Sequence, residues 1–142
     1  MKFIEDSTHV RVRFSESDAM GVVWHGNYLK YFEDGRESLG KKFNMTYQDM
    51  YKNGFLVPIV NVNLNYKAPI HFGEEMEVKT RLIFTKAAKL IHKYEVWNLS
   101  TGKLSCEGYT EQVFLNEKTR ALELFIPSFY ADWLKEVDWQ EK

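Results

Sequence analysis

Two periods divide the chain. From His9 to Phe14 the sequence HVRVRF sets Val10, Val12 and Phe14 against Arg11 and Arg13, which predicts a strand with one buried face. Ser15 to Gly26 follows neither period and reads as loop. From Asn27 the period becomes helical. Tyr28, Tyr31, Phe32, Gly35, Leu39 and Phe43 fall on one side of a wheel, and Lys30, Asp34, Glu37 and Lys41 on the other. Asn27 is a residue type that caps a helix start, and Gly40 to Asn44 is where the helix should stop. After Gly54 the period returns to two. Val60, Val62, Leu64 and Tyr66 alternate with Asn61, Asn63 and Asn65. Met76, Val78, Thr80, Leu82 and Phe84 alternate with Glu75, Glu77, Lys79 and Arg81. Residues 89–97 and 104–115 give two further strands, with turns at KAAK and at NLSTGK, where Gly102 can take a positive φ. Pro127 opens a short helix, SFYADWLKEV.

The pattern predicts one α+β domain over residues 1–142: a five-stranded antiparallel sheet wrapped around the helix that starts at Asn27. Short turns between the late strands predict a meander.

Composition narrows the function classes. Net charge is -1, from 19 basic and 20 acidic residues, without the basic excess of a nucleic-acid binder. Cys106 is the single cysteine, so no intrachain disulfide can form, and a small residue inside a strand is the expected role. No apolar run reaches membrane-spanning length, and Glu5 and Asp6 interrupt the start. These features predict a cytoplasmic protein with no integral membrane segment. His25, His71 and His92 show no ligand spacing, so no metal is expected.

The loop SDAMGVVWHGNY (17–28) concentrates the chemistry. It holds a carboxylate, Asp18, an imidazole, His25, and two glycines, Gly21 and Gly26, at the mouth of a helix. A helix N-terminus has unpaired N–H groups and partial positive charge, which stabilise an oxygen turning negative. Asp18 is placed to act as nucleophile or as general base on water, and His25 to move a proton or position a substrate. Acyl transfer needs both an oxyanion site and such a carboxylate. The competing account is an Asp that closes its own turn and a His that packs in a loop.

The stretch VRFSESDAMGVVWHGNYLKYFEDGRE resembles the signature of the 4-hydroxybenzoyl-CoA thioesterase family, and within it the Tol-Pal-associated acyl-CoA thioesterases. Asp18, Gly21, Val22, Val23, His25, Asn27, Tyr28, Phe32, Glu33 and Arg36 carry the likeness. The resemblance implies a hotdog fold and hydrolysis of acyl-coenzyme A to free acid and coenzyme A. It implies a homodimer or homotetramer with sites at the subunit interface, and no metal or other cofactor. It makes Asp18 and His25 the catalytic residues and Gly21, Val23, Trp24, Gly26 and Tyr28 the substrate-binding ones. Two positions depart from the pattern: Phe14, often tyrosine there, and Met20, often smaller. Two other functions fit the same scaffold, an acyl-carrier-protein thioesterase and a non-catalytic acyl-CoA-binding module.

Glu33 is the rival carboxylate, and the spacing to Arg36 predicts an ion pair instead. Lys67, Lys86, Lys89 and Lys103 are candidate contacts for the phosphates of coenzyme A.

Overall fold

In the computed structural model, which describes residues 1–142, a sheet curves over one long helix. The strands are β1 (Lys2–Arg11), β2 (Phe55–Leu56), β3 (Ile59–Tyr66), β4 (Glu75–Ile83), β5 (Lys89–Asn98), β6 (Lys103–Val113), β7 (Leu115–Asn116) and β8 (Gln140–Glu141). The helices are α1 (Tyr28–Lys42), α2 (Tyr47–Lys52) and α3 (Ser128–Glu136). The main sheet runs β3-β6-β5-β4-β1-β8 and is antiparallel throughout; β2 and β7 form a separate ribbon. It therefore has the five long strands expected, with the two-residue β8 added at one edge.

Helix α1 buries Tyr28, Tyr31, Phe32, Gly35, Arg36 and Leu39. Phe32 stacks on Tyr94 of β5, with ring centroids 4.1 Å apart and planes 6° from parallel. The same ring covers Gly108 of β6, where an added Cβ would lie 2.2 Å from it. Gly108→Ala should therefore destabilise the fold by about 1–3 kcal/mol through overpacking. Thermal denaturation followed by circular dichroism reads this as a lower Tm, and an unchanged Tm would show that Phe32 can retreat. A second cluster, around Ile4, Leu39, Met50, Leu82, Leu90, Phe114 and Tyr130, joins the far end of α1 to α2 and α3.

Four expectations change. First, β1 begins at Lys2 and ends at Arg11, and Phe14 lies outside it, exposed in a 3-10 turn. Alternation fails at the start because Phe3 and Ile4 are both buried: Ile4 enters the core, while Phe3 lies under the Arg81 guanidinium, 4.3 Å from its ring. Second, β4, β5 and β6 form a meander, but β3 pairs with β6 rather than β4. β1 occupies the β4 edge, which leaves β3 only the edge of β6. Third, α2 is a helix that hydrophobic spacing did not reveal; the Thr46 hydroxyl accepts from Asp49 N–H while the Asp49 carboxylate accepts from Thr46 N–H. Fourth, Asn27 does not cap α1. It has helical φ and ψ, and its side chain donates to the Glu16 carbonyl at 2.8 Å.

Other readings hold. α1 stops at Lys42, where Phe43 N–H closes on Leu39 and Asn44 takes a positive φ of 62°. Gly102 has φ 72°, Cys106 is buried within β6, and Pro127 precedes α3. No helix is long and apolar enough to cross a membrane.

Candidate active site on the loop before α1

Residues 17–23 form a small hairpin. Ser17 bridges to Val23, Asp18 N–H donates to Val22 O at 2.8 Å, and Gly21 N–H donates to Asp18 O at 3.0 Å. The turn needs φ +79° at Gly21, a conformation glycine adopts without a Cβ penalty. Asp18 is half-buried, and its Oδ1 accepts from Met20 N–H at 2.8 Å and, more weakly, from Val22 N–H at 3.4 Å. Oδ2 receives no hydrogen bond from the chain. One carboxylate oxygen thus closes the turn and the other is free.

The hairpin is tied into the body on two sides. Val23 N–H reaches Ile70 O at 2.7 Å, and Val22 bridges to His71. Trp24 N–H and the Asn27 side chain both donate to Glu16 O. Asn27 therefore serves as a brace between the loop and the helix. His25 to Asn27 make a 3-10 turn that leads into α1. The N–H groups of His25 and Gly26 donate to no acceptor in the chain. These two unpaired donors sit where the positive end of α1 faces outward.

The predicted residues take distinct places. The His25 ring is exposed, 5.0 Å from the Trp24 ring and 6.3 Å from the Tyr66 ring by centroid. Its carbonyl accepts from the Tyr66 hydroxyl at 2.9 Å, which fixes the loop to β3. The Trp24 indole lies over Gly26: a Cβ there would stand 2.2 Å from the ring, so a larger residue would have to displace the indole. Val23 and Tyr28 are core residues, and the Tyr28 hydroxyl lies 3.1 Å from Ser105 Oγ. Met20 and Phe14 are exposed. Asp18, Gly21, Trp24, His25 and Gly26 lie on this loop exposed or partly exposed, whereas Val23 and Tyr28 are buried beneath it. None of the four principal cavities is lined by Asp18, His25 or Gly26.

The rival carboxylate is resolved differently from the ion pair expected. Glu33 is exposed, and Arg36 is buried to 8% exposure with no carboxylate in salt-bridge range. Arg36 turns inward because it shares the buried face of α1. Its Nε donates to the Tyr47 hydroxyl at 2.6 Å and its Nη1 to the Tyr94 hydroxyl at 2.9 Å. Burial alone would lower the guanidinium pKa, but the two phenols outweigh it and raise it. Of the candidate phosphate contacts, Lys89 reaches Glu111 at 3.7 Å, and Lys67, Lys86 and Lys103 are exposed without an ion-pair partner.

His92 packs nearby, buried beside Tyr94, with Nδ1 unpartnered. Burial first, and the Arg36 charge second, push its pKa down from 6.5 to about 3. The unfolded chain therefore binds a proton that the folded chain refuses. Stability from this group is complete above 6.5 and is lost as pH falls toward 3, at up to about 1.4 kcal/mol per pH unit. His92→Phe should flatten that acid limb in denaturant titrations between pH 6.5 and 4. An unaltered slope in the variant would assign the acid sensitivity elsewhere.

The family profile described as "Thioesterase-like superfamily" matches residues 12–137. The chain belongs to this superfamily. It is 35% identical over 124 residues to a Bacillus subtilis protein, YneP, whose name assigns it provisionally to the acyl-CoA thioesterases. That match spans 87% of this chain and 88% of the relative. The crystal structure of a DHNA-CoA thioesterase from Staphylococcus aureus superposes with a TM-score of 0.83 at 32% identity. The superposition covers 92% of this chain and 87% of that one, so the hotdog thioesterase fold is shared along nearly the whole chain. A third relative, the chloroplastic acyl-acyl carrier protein thioesterase ATL3 of Arabidopsis thaliana, is 24% identical over 91% of this chain and 69% of its own.

Proposed function

We propose that this thioesterase-superfamily chain is an acyl-CoA thioester hydrolase whose reaction centre is the loop before α1. The observation that carries the reading is the pairing, on one loop, of a half-free carboxylate with two unpartnered N–H donors at the head of a helix. The thioester carbonyl oxygen takes the His25 and Gly26 N–H groups, which hold the negative charge of the tetrahedral state. Asp18 Oδ2 either draws a proton from water, so that hydroxide attacks the carbonyl carbon, or attacks it directly to give an anhydride that water then opens. The carbon–sulfur bond breaks, coenzyme A leaves as thiolate and is protonated, and the acid is released. Gly21 aims Asp18, and Trp24 and His25 wall the substrate approach. Val23 and Tyr28 hold the loop from below.

The exposed strand β3 supports a homodimer. Nearly all of its residues are exposed, including Ile59, Val60, Val62 and Tyr66, and its outer edge pairs with nothing. At the opposite edge of the sheet, β8 covers only the Lys2–Phe3 end of β1. An open apolar edge is a template for a second chain. Antiparallel pairing of two β3 strands about their midpoint sets the His25 end of one copy, marked by Tyr66, beside the Ile59 end of the other. Within the superfamily, the motif from Asp18 to Arg36 supports a place in the 4-hydroxybenzoyl-CoA thioesterase family beside its Tol-Pal-associated group. The single buried thiol, Cys106, supports a cytoplasmic setting.

Steady-state release of free thiol from a panel of acyl-CoAs tests the activity. Turnover of several of them is the expected result. Saturable binding without turnover would replace the hydrolase with an acyl-CoA-binding module. Faster cleavage of the same acyl group from acyl-carrier protein, the carrier in the Arabidopsis relative's name, would change the carrier and keep the chemistry.

A further inference from the structure

A groove of about 790 Å³ lies between α1, α2 and the start of β3. Phe55, Val57 and Pro58 give it apolar walls, while Arg36, Lys52 and Arg120 face it with Glu33 as the only carboxylate. None of the three cations takes part in a salt bridge. The groove is thus apolar along its length and positive in balance.

Tyr47 lines the groove and carries an unused donor. Its hydroxyl oxygen accepts from Arg36 Nε at 2.6 Å and from Gln112 Nε2 at 3.0 Å. The Val57 carbonyl, which accepts from the same nitrogen at 2.8 Å, orients the Gln112 amide with its Nε2 toward Tyr47. Both lone pairs of the phenol are then occupied, and its proton finds no acceptor in the chain. A guanidinium behind the oxygen strengthens that O–H as a donor, above all toward an anion.

The groove stands at the Ile59 end of β3, across the proposed dimer from the His25 loop of the other copy. Resting on the hydrolase reading and on that dimer, we propose that the preferred acyl group ends in a carboxylate: its chain lies in the groove and the distal carboxylate accepts the Tyr47 O–H within the field of Arg36, Lys52 and Arg120. The substrate class is the coenzyme A monothioester of a dicarboxylic acid. Tyr47 is the specificity residue, and the Asp18 loop performs the same hydrolysis at the other end of the acyl chain.

Chain-matched pairs test this: adipoyl-CoA against hexanoyl-CoA, and 4-carboxybenzoyl-CoA against benzoyl-CoA. Wild type should favour the carboxylate member in kcat/KM by about tenfold or more, because a site built for a polar group discriminates against the analogue lacking it. Tyr47→Phe and, independently, the rim variant Arg120→Gln should each lower that ratio. The ratio is the readout, so a general loss of activity cancels. If Tyr47→Phe fails to fold, Arg120→Gln decides. The same pairs on N-acetylcysteamine, which carries no phosphate, should keep the preference; loss of it there would mean that the cations serve coenzyme A phosphates and would overturn the proposal. Turnover with no preference for the carboxylate would overturn it and leave the hydrolase intact. Absence of turnover on every thioester would remove the hydrolase reading and this inference together.

Discussion

Asp18→Asn should lower kcat by about 10²-fold or more while leaving the fold unchanged. The substitution separates the two accounts of this residue. As the closer of its own turn, Asp18 uses Oδ1 to accept from the Met20 and Val22 amides. An asparagine keeps a carbonyl oxygen at that place, so the hairpin survives. What it loses is the negative charge and the second oxygen, to which the chain offers no hydrogen bond. An amide can neither take a proton from water nor attack a thioester. A purely structural Asp18 therefore predicts near-wild-type hydrolysis in the variant, and a catalytic one predicts collapse at unchanged Tm. Asp18→Ala adds the turn itself to the loss, and its extra drop in Tm measures what Oδ1 contributes, about 1 kcal/mol for a typical cap-like bond. An Asn variant as active as wild type would move the chemistry to another group, with exposed Glu33 next in line.

Legibility followed the physics of each element. α1 was readable because one face packs on the sheet and the other meets water, and that contrast writes a 3.6-residue period. β4 and β5 were readable for the same reason at period two. Where both faces are covered, as at Phe3 and Ile4, the alternation disappears and the start of β1 is lost with it. Where neither face is well covered, as in β3, the alternation of Val60, Val62 and Leu64 with three asparagines survives but no longer says which partner waits. Strand order was hidden because pairing is decided by competition for edges, which no single strand records.

The site divides in the same way. Asp18, Gly21 and His25 are adjacent in sequence, so a local motif could expose them. The Arg36–Tyr47–Gln112 cluster joins residues from α1, α2 and β6, and only the fold assembles it. Its sequence signals were present but ambiguous. Arg36 stands on the buried face of the wheel between Gly35 and Leu39, yet Glu33 three residues earlier offered a plausible surface partner. Thr46 and Asp49 carry the spacing of a capping box, which would have located α2 and with it Tyr47.

Val62→Lys should convert the protein to a folded monomer and lower its hydrolysis by about 10²-fold or more, since the reacting groups and the acyl groove would no longer be held together. β3 spans Ile59–Tyr66, so a two-fold axis through its midpoint passes next to Val62 and brings both copies of this side chain near one another. In the isolated chain Val62 is 41% exposed, and a lysine there can extend to water at little cost. In the dimer the substitution brings two ammonium groups close together beside the two-fold axis on adjoining strands, a like-charge pair that opposes association. Light scattering should give half the wild-type mass, with an unchanged far-ultraviolet spectrum and a cooperative melt. The low activity should rise with protein concentration as dimers re-form, which a lesion inside one copy would not do. A monomeric Val62→Lys that hydrolyses at the wild-type rate would show that the loop of one chain needs nothing from a second copy. The His25 and Gly26 donors would then have to work without the groove of a second copy.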